Sequence, residues 1–229
     1  MVHSSVISRK RYILYILVVL AAVLLLLAGS NNAARAESNN VAVSKYGGSV
    51  YVRAFVPGED TKFGSIGHFD LMIKGTVYFR GKVFVNPVFS YRQEDSRLDV
   101  FNEADTALVY PHSSALDYYY DCDIYQRGYR LGNKTTVENF LKAMDSCIAS
   151  SSTHPDTSSA IKCRIKKGNP FARYKTSSIN CFCAVATWLK AFGNSSLMNY
   201  YNAAHQGKCS IYYPKTIAKK YDFYLKYRA

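Results

Sequence analysis

Acidic residues are scarce in this chain: 16 Asp and Glu stand against 29 Lys and Arg, a formal charge of +13. Such a surface repels cationic partners and attracts anionic ones, whether phospholipid, acidic cell-envelope polymers or nucleic acid. Nucleic acid ranks last, because no recognised binding motif accompanies the charge. Zinc-type spacing is also missing. The cysteines are Cys122, Cys147, Cys163, Cys181, Cys183 and Cys209, and Cys181-x-Cys183 is too close and has no partner pair. The sequence points to no metal and no cofactor. There is no internal repeat, and Ser30 stands where a lipoprotein signal would need a cysteine.

What is present begins with an export segment. Arg9, Lys10 and Arg11 precede an uninterrupted apolar run of 17 residues, Tyr12 to Ala28, and Ala34-Arg35-Ala36 supplies a small-x-small cleavage pattern. The reading is a signal peptide over 1–36, with an uncleaved membrane anchor as the alternative, since the run is just long enough to span a bilayer. The protein is then periplasmic or secreted, or anchored if Ala36 is not cleaved. Removing 36 of the 229 residues leaves 193, enough for one domain with a sizeable core. Four cations and no acid go with the segment, so the remainder carries +9. Export places the six cysteines where disulfides persist.

The remainder predicts an α+β domain over 49–213, after a polar lead-in at 37–48 and before a basic, aromatic tail at 214–229. Ser49 to Val56 alternates as a half-buried strand. Phe69 to Ile73, Thr76 to Phe79 and Lys82 to Phe89 form an antiparallel meander through turns at Lys74-Gly75 and Arg80-Gly81. Arg92 to Asn102 reads as a charged surface excursion and Thr106 to Tyr110 as a strand. Tyr118 to Leu131 pairs with the sheet. A helix spans Asn133 to Ser150, capped by Thr135 or Thr136, with Val137, Phe140, Leu141 and Met144 on its apolar face. Ser151 to Ser159 has loop composition, Ile161 to Ile165 reads as a short strand, Ser195 to His205 as a helix and Cys209 to Tyr213 as an edge strand.

The stretch Asn180 to Asn194, NCFCAVATWLKAFGN, carries the candidate chemistry. Helix N-terminal amides favour a thiolate, so Cys181 in the first turn is a candidate nucleophile, positioned by Asn180. At about 100° per residue, Val185, Trp188 and Phe192 share its face, while Cys183 falls about 200° away beside Lys190, pointing outward or to a disulfide partner. A thiol hydrolase also needs a base. His112, His154 and His205 lie in irregular or late segments, and only His68 sits at the mouth of an apolar strand after a glycine. Asp70, two residues along on the same face, is the candidate to orient His68, with Asn86 further away.

Gly67-His68 opening a strand, a meander, an intervening helix, and much later Asn180-Cys181 opening an apolar helix: together these resemble the circularly permuted papain-like hydrolases, including the lecithin retinol acyltransferase-type and NlpC-related enzymes. The resemblance spans roughly Tyr51 to Gly193 and rests on order and context. It implies that Cys181 attacks an amide, ester or thioester carbonyl to form an acyl-enzyme. It implies that His68 is the base, with the backbone amide of Cys181 stabilising the oxyanion. The substrate would be an envelope peptide or amide, a lipid ester, or a target in another cell. The alternative is a non-catalytic exported binding module, or an envelope-anchored scaffold, that takes anionic polymers on its +9 surface.

Overall fold

The computed structural model describes residues 41–57, 67–109, 122–175, 178–205 and 214–227. The chain divides into two units, Met1–Asn39 and Asn40–Ala229, and the described residues all belong to the second. The export segment over 1–36, His112 and the strand expected over Cys209 to Tyr213 lie outside them. Among the described residues no helix is long and apolar enough to cross a membrane.

The class is α+β. Among the described residues nine strands form one sheet: β1 (Val41–Pro57), β2 (His68–Phe79), β3 (Lys82–Val85), β4 (Pro87–Arg92), β5 (Arg97–Asn102), β6 (Cys122–Arg130), β7 (Ile148–His154), β8 (Thr157–Ile165) and β9 (Tyr224–Tyr227). The spatial order is β7-β8-β5-β4-β2-β1-β6-β9, with β3 as a further partner of β2, and each of these pairings is antiparallel. The helices are α1 (Thr106–Val109), α2 (Lys134–Cys147), α3 (Cys181–Ala191), α4 (Ser196–His205) and α5 (Pro214–Lys220).

Period-two alternation gives the sheet two unlike faces. On the first face Val52, Ala54, Phe69, Leu71, Phe89, Tyr91, Leu98 and Val100 pack against Val137, Phe140 and Leu141 of α2 and against Phe182, Val185 and Leu189 of α3. On the second face a smaller apolar group gathers Phe55, Met72, Val88, Phe101 and Val109. The rest of that second face is polar and charged yet buried: Arg53, His68, Asp70, Ser90, Arg92, Arg97 and Asp99.

The helix caps follow ordinary side-chain chemistry. Asn133, rather than either threonine, caps α2; its Oδ1 accepts from the Thr136 amide at 3.0 Å while Thr136 Oγ1 accepts from the Asn133 amide. Asn180 Oδ1 accepts from the Cys183 amide at 3.0 Å and so caps α3. Gly193, at φ +94°, follows the end of α3.

Several expectations from sequence change. Lys74-Gly75 is not a turn. β2 runs through it, Gly75 sits at φ +146°, and a Cβ there would lie 2.1 Å from the Lys45 carbonyl oxygen. Asn86 serves the same feature from the other side, its Oδ1 accepting from the Gly75 amide at 3.0 Å. The Arg80-Gly81 turn is present, with both residues at positive φ. Thr106 to Val109 is helical because Glu103 to Asp105 already forms a turn and Thr106 Oγ1 donates to the Glu103 carbonyl at 2.6 Å. Arg97 to Asn102 is a buried central strand, tolerated because Asp99 neutralises its neighbour Arg97 at 3.0 Å. Ser151 to Ser159 belongs to the β7–β8 hairpin. The segment after 213 is no tail: α5 buries Ile217 and Ala218, and β9 pairs with β6. The lead-in is likewise strand from Val41 onward.

Gly75→Ala tests the close approach of β1 and β2. It should lower stability by at least about 2 kcal/mol in urea unfolding, since alanine meets both the positive φ and the Lys45 carbonyl.

Candidate functional site

Cys181 lies in the first turn of α3 with its sulfur enclosed against β2. The Tyr174 hydroxyl is 3.9 Å away, and backbone hydrogen bonds reach the sulfur from Phe69, Phe182 and Cys181 itself. Burial nevertheless dominates and pushes the thiol above its usual value, with those hydrogen bonds pulling the other way. The favourable helix start therefore does not yield a thiolate at neutral pH. Cys183 does not point outward: it is buried, and burial raises its pKa against hydrogen bonds from Tyr201 and Thr187. Among the described residues, Cys147, Cys163, Cys181 and Cys183 carry free thiols, so the disulfide expected at Cys183 is not formed.

His68 leaves β2 from the other side. Its register partner is Phe55, and the two rings meet at 5.8 Å between centroids. The ring Nε2 is 2.8 Å from Ser90 Oγ, and the side chain is only 4% exposed. Phe69, the next residue, faces α3 and packs edge-on against Phe182 at 5.1 Å. Strand alternation thus puts the His68 ring on the second face and the Cys181 sulfur on the first, with the β2 backbone between them. The structure brings Cys181 to the residue beside His68 but does not bring the two side chains together.

Asp70 shares the second face with His68, as the spacing predicts, and is completely buried. Its two oxygens take Arg53 Nε at 2.7 Å and Nη2 at 2.6 Å. Its carboxylate thus forms a bidentate pair with that guanidinium. Ser90, absent from the sequence reading, is the described partner of the ring nitrogen.

The sequence reading also missed how charge is arranged across β4, β5 and β8. Register aligns Arg92 with Arg97, Arg97 with Arg164, and Arg164 with Ser150. The neighbouring row on the same face is Ser90, Asp99, Lys162 and Ser152. His154 Nε2 lies 3.8 Å from Asp99 Oδ2 beneath it. A cavity of about 480 Å³ opens over this area, lined by Asp95, Arg97, Ser150, Ser151, Ser152, Lys162, Cys163 and Arg164. The signal was readable as the alternation Ser90-x-Arg92, Arg97-x-Asp99 and Lys162-x-Arg164, once Arg97–Asn102 is taken as a strand. Among the described residues, no group of three or more His, Cys, Asp or Glu is arranged to hold a metal ion.

Comparison with family models, with curated proteins and with solved structures finds no match to this chain.

Burial first, then the charges of Arg92 and Arg53, hold the His68 imidazole well below its usual value of 6.5. The unfolded ring takes its proton near pH 6.5, and the folded ring resists it. The neutral ring's contribution to stability is full above about pH 6.5 and is lost as pH falls from there toward the folded value. Chemical unfolding of the wild type and of His68→Gln across this range should show a shallower acid slope in the variant. Equal slopes would place the acid sensitivity elsewhere.

Proposed function

We propose that this chain is an exported binding module for anionic polymers, working at the cell envelope or outside it. The observation that carries this reading is the row Arg92, Arg97 and Arg164, with Lys162 beside it, on one face of the sheet. Arg92 and Arg97 are buried, so the row presents its cations to solvent at the β8 end, where Lys162 and Arg164 stand about 6.6 Å apart along one strand. Asp99 is fully buried beneath the row and is engaged by Arg97, which leaves Lys162 and Arg164 as the cations nearest solvent. The +9 charge beyond residue 36 supplies attraction at longer range. Nucleic acid is not among the expected partners.

Dextran sulfate is a suitable probe. With about two cations engaged, affinity should fall roughly sevenfold between about 50 and 200 mM salt. A protein that passes a dextran sulfate column unretarded at low salt does not have this function.

A second reading is favoured by one specific contact. The Cys181 sulfur reaches the amide of Phe69, beside His68, and the amides of Cys181 and Phe182 converge on it. In a fold resembling the permuted papain-like enzymes, this is where a thiol hydrolase or acyltransferase would form its acyl-enzyme on a peptide, amide or lipid ester substrate. The His68 ring would have to turn from Ser90 to the face of α3, and Asp70 would have to leave Arg53. Iodoacetamide labelling at pH 7 separates the two readings. The buried, protonated thiol should be alkylated at least ~10-fold more slowly in the native protein than in the unfolded chain. Rapid native alkylation of Cys181 would put the hydrolase first.

A further inference from the structure

We infer that the β7–β8 hairpin carries a subsite for one phosphate group of a phosphate-bearing polymer; this rests on the anionic-polymer reading and names its contact point. Lys162 and Arg164 alternate along β8 and share a face, with Cys163 between them turned into the core. Their Cα atoms are about 6.6 Å apart at the usual strand rise. Ser150 lies opposite Arg164 and Ser152 opposite Lys162, about 4.8 Å across. The result is a four-cornered frame, with cations along one edge and hydroxyls along the other. A tetrahedral oxyanion with donors at about 2.8 Å on its oxygens fills a frame of that size.

Three corners of the frame are unspent. Among the described residues, no hydrogen bond or ion pair holds the side chains of Arg164, Ser150 or Ser152, and all three line the 480 Å³ cavity. Arg97, one strand further in on the Arg164 row, lines the cavity wall while paired with Asp99. A carboxylate would spend its two oxygens on the two cations, whereas a phosphate group can engage both and still accept from a hydroxyl.

Asp95 marks where an anionic oxygen sits. Its side chain is 82% exposed, and Oδ2 lies 3.6 Å from Lys162 Nζ. It is held there by a left-handed backbone, with φ +53° at Asp95 and +49° at Ser96. The carboxylate is thus an internal competitor that an incoming phosphate displaces from Lys162. An exposed pair of this kind is weak and easily exchanged.

Calorimetric titration of the full chain with inorganic polyphosphate tests the proposal. Wild type should bind. The double variant Lys162→Glu/Arg164→Glu should weaken binding at least about tenfold, while Asp95→Asn should tighten it by about threefold. Arg164→Lys should keep most of the affinity, which a merely structural arginine would not predict for binding. Lys162 and Arg164 are partly or fully exposed, so an unchanged urea midpoint is expected and shows that the double variant folds. Equal polyphosphate binding by wild type and double variant, or no tightening in Asp95→Asn, overturns the subsite. The broader reading then stands or falls on dextran sulfate alone. Retention on dextran sulfate without polyphosphate binding overturns the phosphate assignment, as does binding only to phosphatidylglycerol vesicles.

Discussion

Arg53 and Asp70 form a bidentate ion pair in the middle of the sheet, both side chains almost wholly removed from water. Losing one partner would leave an uncompensated buried charge, at a cost of about 3–5 kcal/mol. The pair does more than neutralise itself. It fixes which face of β1 and β2 is polar, because Arg53 and Asp70 are register partners. Every neighbour two residues along follows: Phe55 and His68 on one side, Tyr51 and Met72 on the other. The apolar complement, Val52, Ala54, Phe69 and Leu71, is committed to the helices. Once that register is set, the rest of the polar face completes itself across β4 and β5 through Ser90, Arg92, Arg97 and Asp99.

That constraint governs the chemistry available to the chain. The Cys181 helix is apolar on nearly every side, so it can pack only on the apolar face, and its thiol is buried there in the protonated form. His68 belongs to the charged face, where desolvation first and then two guanidinium groups hold its pKa well below the usual value. The candidate nucleophile and the candidate base thus lie on opposite faces of β2. The charged face, by contrast, grows more open toward the β7 edge, and its cations become accessible there.

Much of this was legible in the sequence. The α+β class, α2 and α3 with their buried faces, the Arg80-Gly81 turn and the pairing of the segment after Tyr118 all followed from period and turn chemistry. So did the shared face of His68 and Asp70, which strand alternation dictates. Charged strands were not legible. Arg97 to Asn102 and Ser151 to Ser159 look like loop by composition, and they become strands only because distant partners take up their charges and backbone groups. Thr106 to Val109 shows the opposite override, where a β-rich composition yields to a preceding turn. The side of β2 on which Cys181 would land was also hidden. Helix periodicity tells which residues a helix buries, but not which face of the sheet receives them.

The most direct test of this division of labour is to map where a polyanion touches the protein. Side-chain and backbone NMR shifts followed through a polyphosphate titration should move at Arg97, Lys162, Arg164 and the Ser150–Ser152 amides, leaving Cys181 and Phe182 unmoved. Shifts centred on the first turn of α3 and on His68 would contradict the account. They would return the function to the thiol.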